Sequence, residues 1–433
     1  MKNRDRRVRT PEEALRKKTR PESIVSTYGY DPQRSEGALV PPIFLSSTFV
    51  FSTAEEGERA FKIAYHLTED SIPVHSPLIY TRLNNPNLEI LEERLTLFEP
   101  GTEQCAVFSS GMSAIATTIL SLVQTGGSVL YSAPVYGGTD YLFNHILPGL
   151  GIRTEPFHAG IDPQGIRSAL HRILRSTRGA CLVFLETPAN PTCTLTDIAE
   201  TRRAIDEVQH GRKQPIYLAV DNTFLGPMWQ HPAKLGADLV IYSATKFIGG
   251  HSDVVAGAVL GSKKLIADHV KVTRTILGTV PSPFDGYLLL RSLDTLKMRM
   301  TSELKNAKHV AEWLAKEPHV ESVCYPGLLP EGHPQRTILE KQCVEPGSMV
   351  TFYIRGGKKQ AFKFLNALKL VKLAVSLGST KTLAEHPATM THSDIDPKER
   401  LALGIDDRMI RLSIGTEHYK DIIADLDRAF REL

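Results

Sequence analysis

Cysteine is scarce in this chain of 433 residues. The five present, Cys105, Cys181, Cys193, Cys324 and Cys343, are scattered without any C-x-x-C spacing. An odd, dispersed set of this kind argues against a disulfide framework or a zinc site and points to the reducing cytoplasm. Long hydrophobic runs are also missing. No apolar stretch approaches the ~18 residues that cross a bilayer, so no membrane association is expected. None of the fifteen histidines stands in an H-E-x-x-H pattern, and no metal is expected. Internal repeats and low-complexity tracts are absent. The first twenty residues carry nine Lys/Arg against three acids, but no apolar h-region follows, so no secretory signal is expected there. A solvated tail is preferred there over a nucleic-acid-binding segment, so no nucleic-acid partner is expected.

What remains is an ordinary globular composition, 42% hydrophobic and 23% charged, with a net charge of +3. The length exceeds one compact core and fits two domains plus an arm. From Leu88 to about Ile276, helical periodicity alternates with short apolar runs, the pattern of βαβ units and a mostly parallel sheet. A helix is predicted over 87–98, with Leu88, Leu91, Leu95 and Phe98 on one face. Strands are predicted at 105–108, 128–131, 181–185, 216–220, 239–242 and 254–260, and a second helix over 112–122. After Pro283 the pattern changes. A long helical stretch from Gly286 to Ala315 leads to 320–325, 349–354, a helix near 360–368 and an amphipathic helix over 419–433, which together read as a smaller α+β domain. The division is therefore 1–84 for tail and arm, 85–296 for a large α/β domain and 297–433 for the C-terminal domain.

Polar and glycine-rich groups gather where the predicted strands end. Ser110-Gly111 follows the first, Tyr136-Gly137-Gly138 another, and Glu186–Asn190 a third. Asp221 closes the fourth, and Ser243, Thr245 and Lys246 follow the fifth. Open α/β sheets bind ligands at that edge, and five such ends together describe a cofactor crevice. Lys246 is the most informative residue. An amine in a dry crevice loses affinity for its proton and becomes a nucleophile able to form a Schiff base with an aldehyde. The nearby hydroxyls and glycines suit a phosphate. Taken alone, S-x-T-K serves equally as a helix start.

These motifs, in order and at these separations, resemble the Cys/Met-metabolism (trans-sulfuration) family of pyridoxal-phosphate enzymes. They are Tyr80-Thr81-Arg82-Leu83-Asn84-Asn85-Pro86, Ser109-Ser110-Gly111-Met112, Val135-Tyr136-Gly137-Gly138-Thr139, Glu186-Thr187-Pro188-Ala189-Asn190-Pro191, Val220-Asp221-Asn222-Thr223, Ser243-Ala244-Thr245-Lys246 and Arg411-Leu412-Ser413. The resemblance spans about Tyr28 to Phe430. It implies the aspartate-aminotransferase-like fold, pyridoxal 5'-phosphate as cofactor, and a homotetramer built from dimers with shared active sites. It further implies that Lys246 holds the cofactor and then carries protons, and that Asp221 pairs with the pyridine nitrogen. Tyr136 would stack on the ring and protonate the leaving sulfur. The amides of Gly111 and Met112 would bind phosphate at a helix start, with hydroxyl contacts from Ser243 and Thr245. Tyr80 and Arg82 would reach the phosphate of a neighbouring subunit. Arg411 would clamp the substrate carboxylate beside Ser376 and Asn190. Glu186 receives no role beyond orienting a loop.

Within the family the signals are mixed. Gly29–Gln33, Gly37–Pro42 and Leu383–Ser393, with Pro397–Arg400 after them, resemble methionine γ-lyases. Val375 agrees, because cystathionine-binding members often carry a glutamate there. Against this stand Gly138, where methionine γ-lyases typically have cysteine, Arg274-Thr275 in place of a Lys-Asp pair, and Leu277–Asp285. The resemblance implies a carbon–sulfur γ-lyase taking methionine or a related sulfur amino acid to 2-oxobutanoate, ammonia and a thiol. The alternatives are cystathionine γ-lyase, cystathionine γ-synthase and O-acylhomoserine sulfhydrylase.

Overall fold

A computed structural model describes residues 18–65, 67 and 77–433; the greater part of the basic N-terminal segment lies outside the described residues. Seven strands form the larger sheet: β1 Gln104–Phe108, β2 Ser128–Ala133, β3 Arg153–His158, β4 Cys181–Glu186, β5 Ile216–Asp221, β6 Leu239–Tyr242 and β7 Gly257–Gly261, in the order β1-β7-β6-β5-β4-β2-β3. Only β7 runs against its neighbours, so the carboxyl ends of the other six share one edge. β2 and β4 are buried along their whole length, which explains why they read as unbroken apolar runs. β3, Arg-Thr-Glu-Pro-Phe-His, gives no such run. It is an edge strand with most side chains out of the core and a proline in it.

The helix Pro86–Phe98 starts on Asn85, whose side chain accepts from the Asn87 amide, with Pro86 in the first turn. Its buried residues go beyond one stripe, with Ile90 and Leu97 joining Leu88, Leu91, Leu95 and Phe98, because the helix Pro283–Leu293 packs on it as well. The long helical stretch expected from 286 to 315 is two helices, Pro283–Leu293 and Leu296–Leu314. Thr295 leaves the helical region at φ −111°, ψ 5°, and Asp-Thr is a weak helix-forming pair.

The smaller sheet joins β8 Val320–Cys324, β9 Met349–Ile354, β10 Lys372–Leu373, β11 Leu383–Glu385 and β12 Met409–Ser413 in the order β10-β11-β12-β9-β8. Helices Leu296–Leu314 and Tyr419–Phe430 close its core around Phe352, Phe364 and Phe430. Residues at the start of Leu296–Leu314 belong to the large core and later ones to the small core, and we place the proposed 296/297 domain boundary at this start. All five cysteines are free thiols. Among the described residues no helix is long and apolar enough to cross a membrane. The arm between Pro21 and Asn84 leaves Leu39 84% and Val50 100% exposed.

Candidate active site

The five polar strand ends predicted from sequence lie at the shared carboxyl edge of β1, β2, β4, β5 and β6. At the end of β1, Ser110 and Ser113 cap the helix Gly111–Leu122 reciprocally, each hydroxyl taking the other's amide at 3.0 Å. The amides of Gly111 and Met112 are in the first turn and have no intrahelical acceptor. A Cβ at Gly111 would stand 2.8 Å from Ser243 Cβ and 2.9 Å from Ser243 Oγ. Only glycine lets this helix start meet the Ser243 hydroxyl. The Thr245 hydroxyl accepts from the Ala256 amide at 2.9 Å and donates to the Ala256 carbonyl at 3.2 Å. Its one hydrogen is thus committed to holding the lysine loop, and a phosphate contact from Thr245 would require it to change partner.

Lys246 Nζ donates to Ser376 Oγ at 2.9 Å. Burial, reinforced by the Arg411 charge and opposed by Glu385, pulls its amine down from 10.5 to about 8. Ser376 sits at φ +112°, an unusual backbone conformation for a residue with a side chain, and strain of this kind concentrates at functional sites. Arg411, on β12, donates from Nη2 to the Ser376 carbonyl at 2.8 Å and from Nη1 to Asn190 Oδ1 at 2.9 Å. The structure therefore brings Lys246, Ser376, Arg411 and Asn190 together from both sheets.

Asp221 ends β5 directly opposite Glu186 on β4. Its Oδ1 accepts from the Thr223 amide at 2.9 Å, and the Thr223 hydroxyl in turn takes the Ser243 amide at 2.8 Å. Burial pushes both carboxyls up, Glu186 to about 8 with Asp221 beside it as the second cause. Two neighbouring buried carboxylates resist double ionisation, and the Arg411 charge offsets this at Glu186 only in part. Glu186, left without a specific role by the sequence, accepts from the Tyr136 amide at 2.8 Å and the Asn190 amide at 3.1 Å, so one side chain fixes two site loops. Tyr136 stands at the N-cap position of the short helix Gly137–Tyr141 without a capping side-chain bond, and the residue is 43% exposed. A Cβ at Gly138 would lie 2.8 Å from Tyr136 Cε1 and 3.2 Å from Met112 Sδ. The space beside Gly138 is filled by the Tyr136 ring.

Tyr80 and Arg82 stand apart from this cluster. Arg82 donates to the Thr275 carbonyl at 2.8 Å, and its guanidinium lies 5.6 Å from the Tyr80 ring centre. Among the described residues, no hydrogen bond or ion pair joins either to Lys246, Asp221 or Arg411. Arg274, read as a specificity marker, is buried against Glu92 at 2.7 Å and the Val107 carbonyl at 2.9 Å, where it ties helices to β1. Glu385 is the residue that sequence reasoning passed over. It lies opposite Arg411 in the β11–β12 register, with Oε1 2.9 Å from Nη1. Only the strand pairing, not any local motif, could have shown this.

A model of the Cys/Met metabolism PLP-dependent enzyme family matches residues 23–431. The chain is 40% identical over 399 residues to an L-methionine gamma-lyase of Fusobacterium nucleatum subsp. polymorphum, covering 92% of this chain and 94% of the relative. It is 39% identical over 404 residues to human cystathionine gamma-lyase, covering 93% and 91%. Among solved structures, cystathionine gamma synthase from Xanthomonas oryzae pv. oryzae in complex with cystathionine superposes with a TM-score of 0.83 at 33% identity, covering 96% of this chain and 98% of that one. With these likenesses spanning both sheets and every motif of the site, the chain belongs to the Cys/Met metabolism family of PLP-dependent enzymes.

Proposed function

We propose that the protein is a pyridoxal-phosphate-dependent carbon–sulfur γ-lyase, converting methionine or a related sulfur amino acid to 2-oxobutanoate, ammonia and a thiol. The observation that carries this reading is the buried Lys246 amine, drawn down to about 8 and held 2.9 Å from Ser376 within the Arg411 cluster. The donor set fits the cofactor. A helix start whose first amides have no acceptor within the helix meets Ser243 only because Gly111 lacks a Cβ, as a phosphate cradle requires. Asp221 is buried with no ion-pair partner among the described residues, the state a carboxylate awaiting a pyridinium would have. When bound, pyridoxal 5'-phosphate supplies an aldehyde for the substrate amine and a ring that withdraws electrons.

The chain's own residues do the rest. Lys246, neutral in a substantial fraction near pH 8, takes the α-proton and returns protons along the substrate. Asp221 holds positive charge at the pyridine nitrogen. Tyr136, partly exposed beside Met112, gives its hydroxyl proton to the departing sulfur. Arg411, aligned by Asn190 and the Ser376 carbonyl, binds the α-carboxylate. Gly111, Met112 and Ser243 hold the phosphate, joined by Thr245 once its hydroxyl leaves the Ala256 carbonyl, and Tyr80 and Arg82 complete that grip for a neighbouring subunit in a homotetramer of dimers in the cytoplasm. The exposed apolar arm residues suit such an assembly. Mixing Arg82→Ala with Lys246→Ala protomers should regenerate some intact sites; hybrids that never regain activity would place Arg82 in its own subunit's chemistry.

The γ-replacement or cystathionine-cleaving reading is favoured by Gly138 and by the nearly equal identity to human cystathionine gamma-lyase. Incubating the protein with methionine, homocysteine, cystathionine and O-acylhomoserines, and assaying 2-oxobutanoate, ammonia and thiol, decides between them. A kcat/KM clearly higher for cystathionine than for methionine would overturn the first reading.

A further inference from the structure

Arg411 meets three oxygens in the structure, and it donates to the two neutral ones, Asn190 Oδ1 and the Ser376 carbonyl. The third is Glu385 Oε1, 2.9 Å from Nη1. Both members of this pair are almost fully buried, Arg411 2% and Glu385 1% exposed. Glu385 is held in place. Thr391 Oγ1 donates to Oε1 at 2.9 Å, and β11 sets Glu385 directly opposite Arg411 on β12. Yet the pair is left incomplete. Glu385 Oε2 and Arg411 Nε, both buried, have no hydrogen-bond partner among the described residues. A buried guanidinium with only neutral partners is costly, so a resident carboxylate stabilises it while no ligand is present. The same carboxylate weakens the pull of Arg411 on other anions, because the charge is already balanced.

Resting on the reading of Arg411 as the clamp for the substrate carboxylate, we infer that Glu385 is a positioning residue for that clamp: it orients Arg411 through Nη1 and tempers its affinity for carboxylates. The two roles separate in two variants. Glu385→Gln keeps an acceptor facing Nη1 but removes the charge. Glu385→Ala removes both.

Sodium acetate is the probe, titrated calorimetrically into the full-length holoenzyme, alongside kcat and KM for methionine. Glu385→Gln should bind acetate about tenfold more tightly and lower KM with kcat little changed, the size of one partly desolvated charge interaction. Glu385→Ala, which leaves Arg411 held only by Asn190 and the Ser376 carbonyl, should raise KM about tenfold or more. Opposite movements of KM in the two variants identify positioning with charge balance. Unchanged acetate affinity in Glu385→Gln, or a fall in kcat alone in both, would overturn the inference. If Glu385→Ala does not fold, Glu385→Gln decides by itself. Arg411→Lys separates the two levels. If it leaves KM unchanged, the carboxylate clamp itself is wrong. If it raises KM while Glu385→Gln moves neither readout, only the role of Glu385 fails.

Discussion

Two buried guanidinium–glutamate pairs in this chain look alike in composition and differ in what surrounds them. Glu92 has both oxygens engaged: Oε1 takes the Val107 amide at 3.1 Å and Arg274 at 2.7 Å, and Oε2 takes Lys271 at 2.5 Å. Burial pushes the Glu92 carboxyl up, but the two cations outweigh it and the group ends below its usual range. Glu385 has one cation, one hydroxyl and a bare oxygen. The first pair ties a helix to β1 and to the helix Lys271–Leu277 with no carboxylate valence left over. The second sits beside Lys246 and Ser376 and has valence to spare. Residue type and burial do not distinguish a structural ion pair from a binding one; with the guanidinium Nε lacking a partner in both Arg274 and Arg411, it is the completeness of the carboxylate's own hydrogen bonding that does.

The contrast can be broken most forcefully at Lys246. Lys246→Ala should lower turnover by at least roughly 10²–10⁴-fold, the contribution of a positioned proton carrier. It should cost no thermal stability, because a buried amine held by one hydroxyl is not core packing. Glu92→Ala should do the reverse. Leaving Arg274 buried and without its carboxylate should cost about 3–5 kcal/mol, while activity per folded molecule stays near wild type. Denaturation curves and specific activity on both variants check the pair. A Glu92→Ala protein that is stable but inactive would erase the distinction.

A smaller effect follows from the Lys246 amine itself. Below about pH 8 it is protonated and not nucleophilic, whereas above that it is neutral. Capture of pyridoxal phosphate by the cofactor-free chain, trapped with borohydride, should therefore be half-maximal near pH 8 and level off above it. The folded-state value lies below the ordinary 10.5, so between those two the unfolded chain binds more protons, and the penalty this group imposes on folding fades as pH rises through that window. A capture midpoint near 10 would mean the amine is not in the dry environment that burial indicates.

The larger sheet was legible because its central strands are buried on both faces and because glycines and polar groups mark their ends. The motif around Lys246 needed no tertiary information to be placed at a strand end. What escaped was of two kinds. β3 is an edge strand with a polar, proline-containing sequence, and it lacks the apolar run that betrays β4. Glu385 and Arg274 escaped because pairing decides their roles. Glu385 meets Arg411 only through the β11–β12 register, and Arg274 meets Glu92 across 182 residues of sequence. Arg411, Asn190 and Ser376 were named from the resemblance, and the structure adds why they converge: Asn190 takes Nη1 of the guanidinium and the Ser376 carbonyl takes Nη2.

The smallest effects belong to substrate selectivity, where Val375 and Gly138 point apart. Val375 adjoins Ser376 and is 53% exposed in the chain alone. A glutamate introduced there would meet the distal ammonium of cystathionine in partly solvated surroundings, so its attraction is worth about 1 kcal/mol or less, not the several that a dry pair would give. Val375→Glu should thus improve kcat/KM for cystathionine over methionine by a few-fold. Gly138 acts differently. Any side chain there starts 2.8 Å from the Tyr136 ring and must displace it. Gly138→Cys should lower kcat for every substrate before it sharpens the preference for methionine. Parallel kinetics on the two substrates checks both. A Gly138→Cys enzyme with undiminished kcat would show that the Tyr136 ring has room to move and that its contact with Gly138 does not set its position.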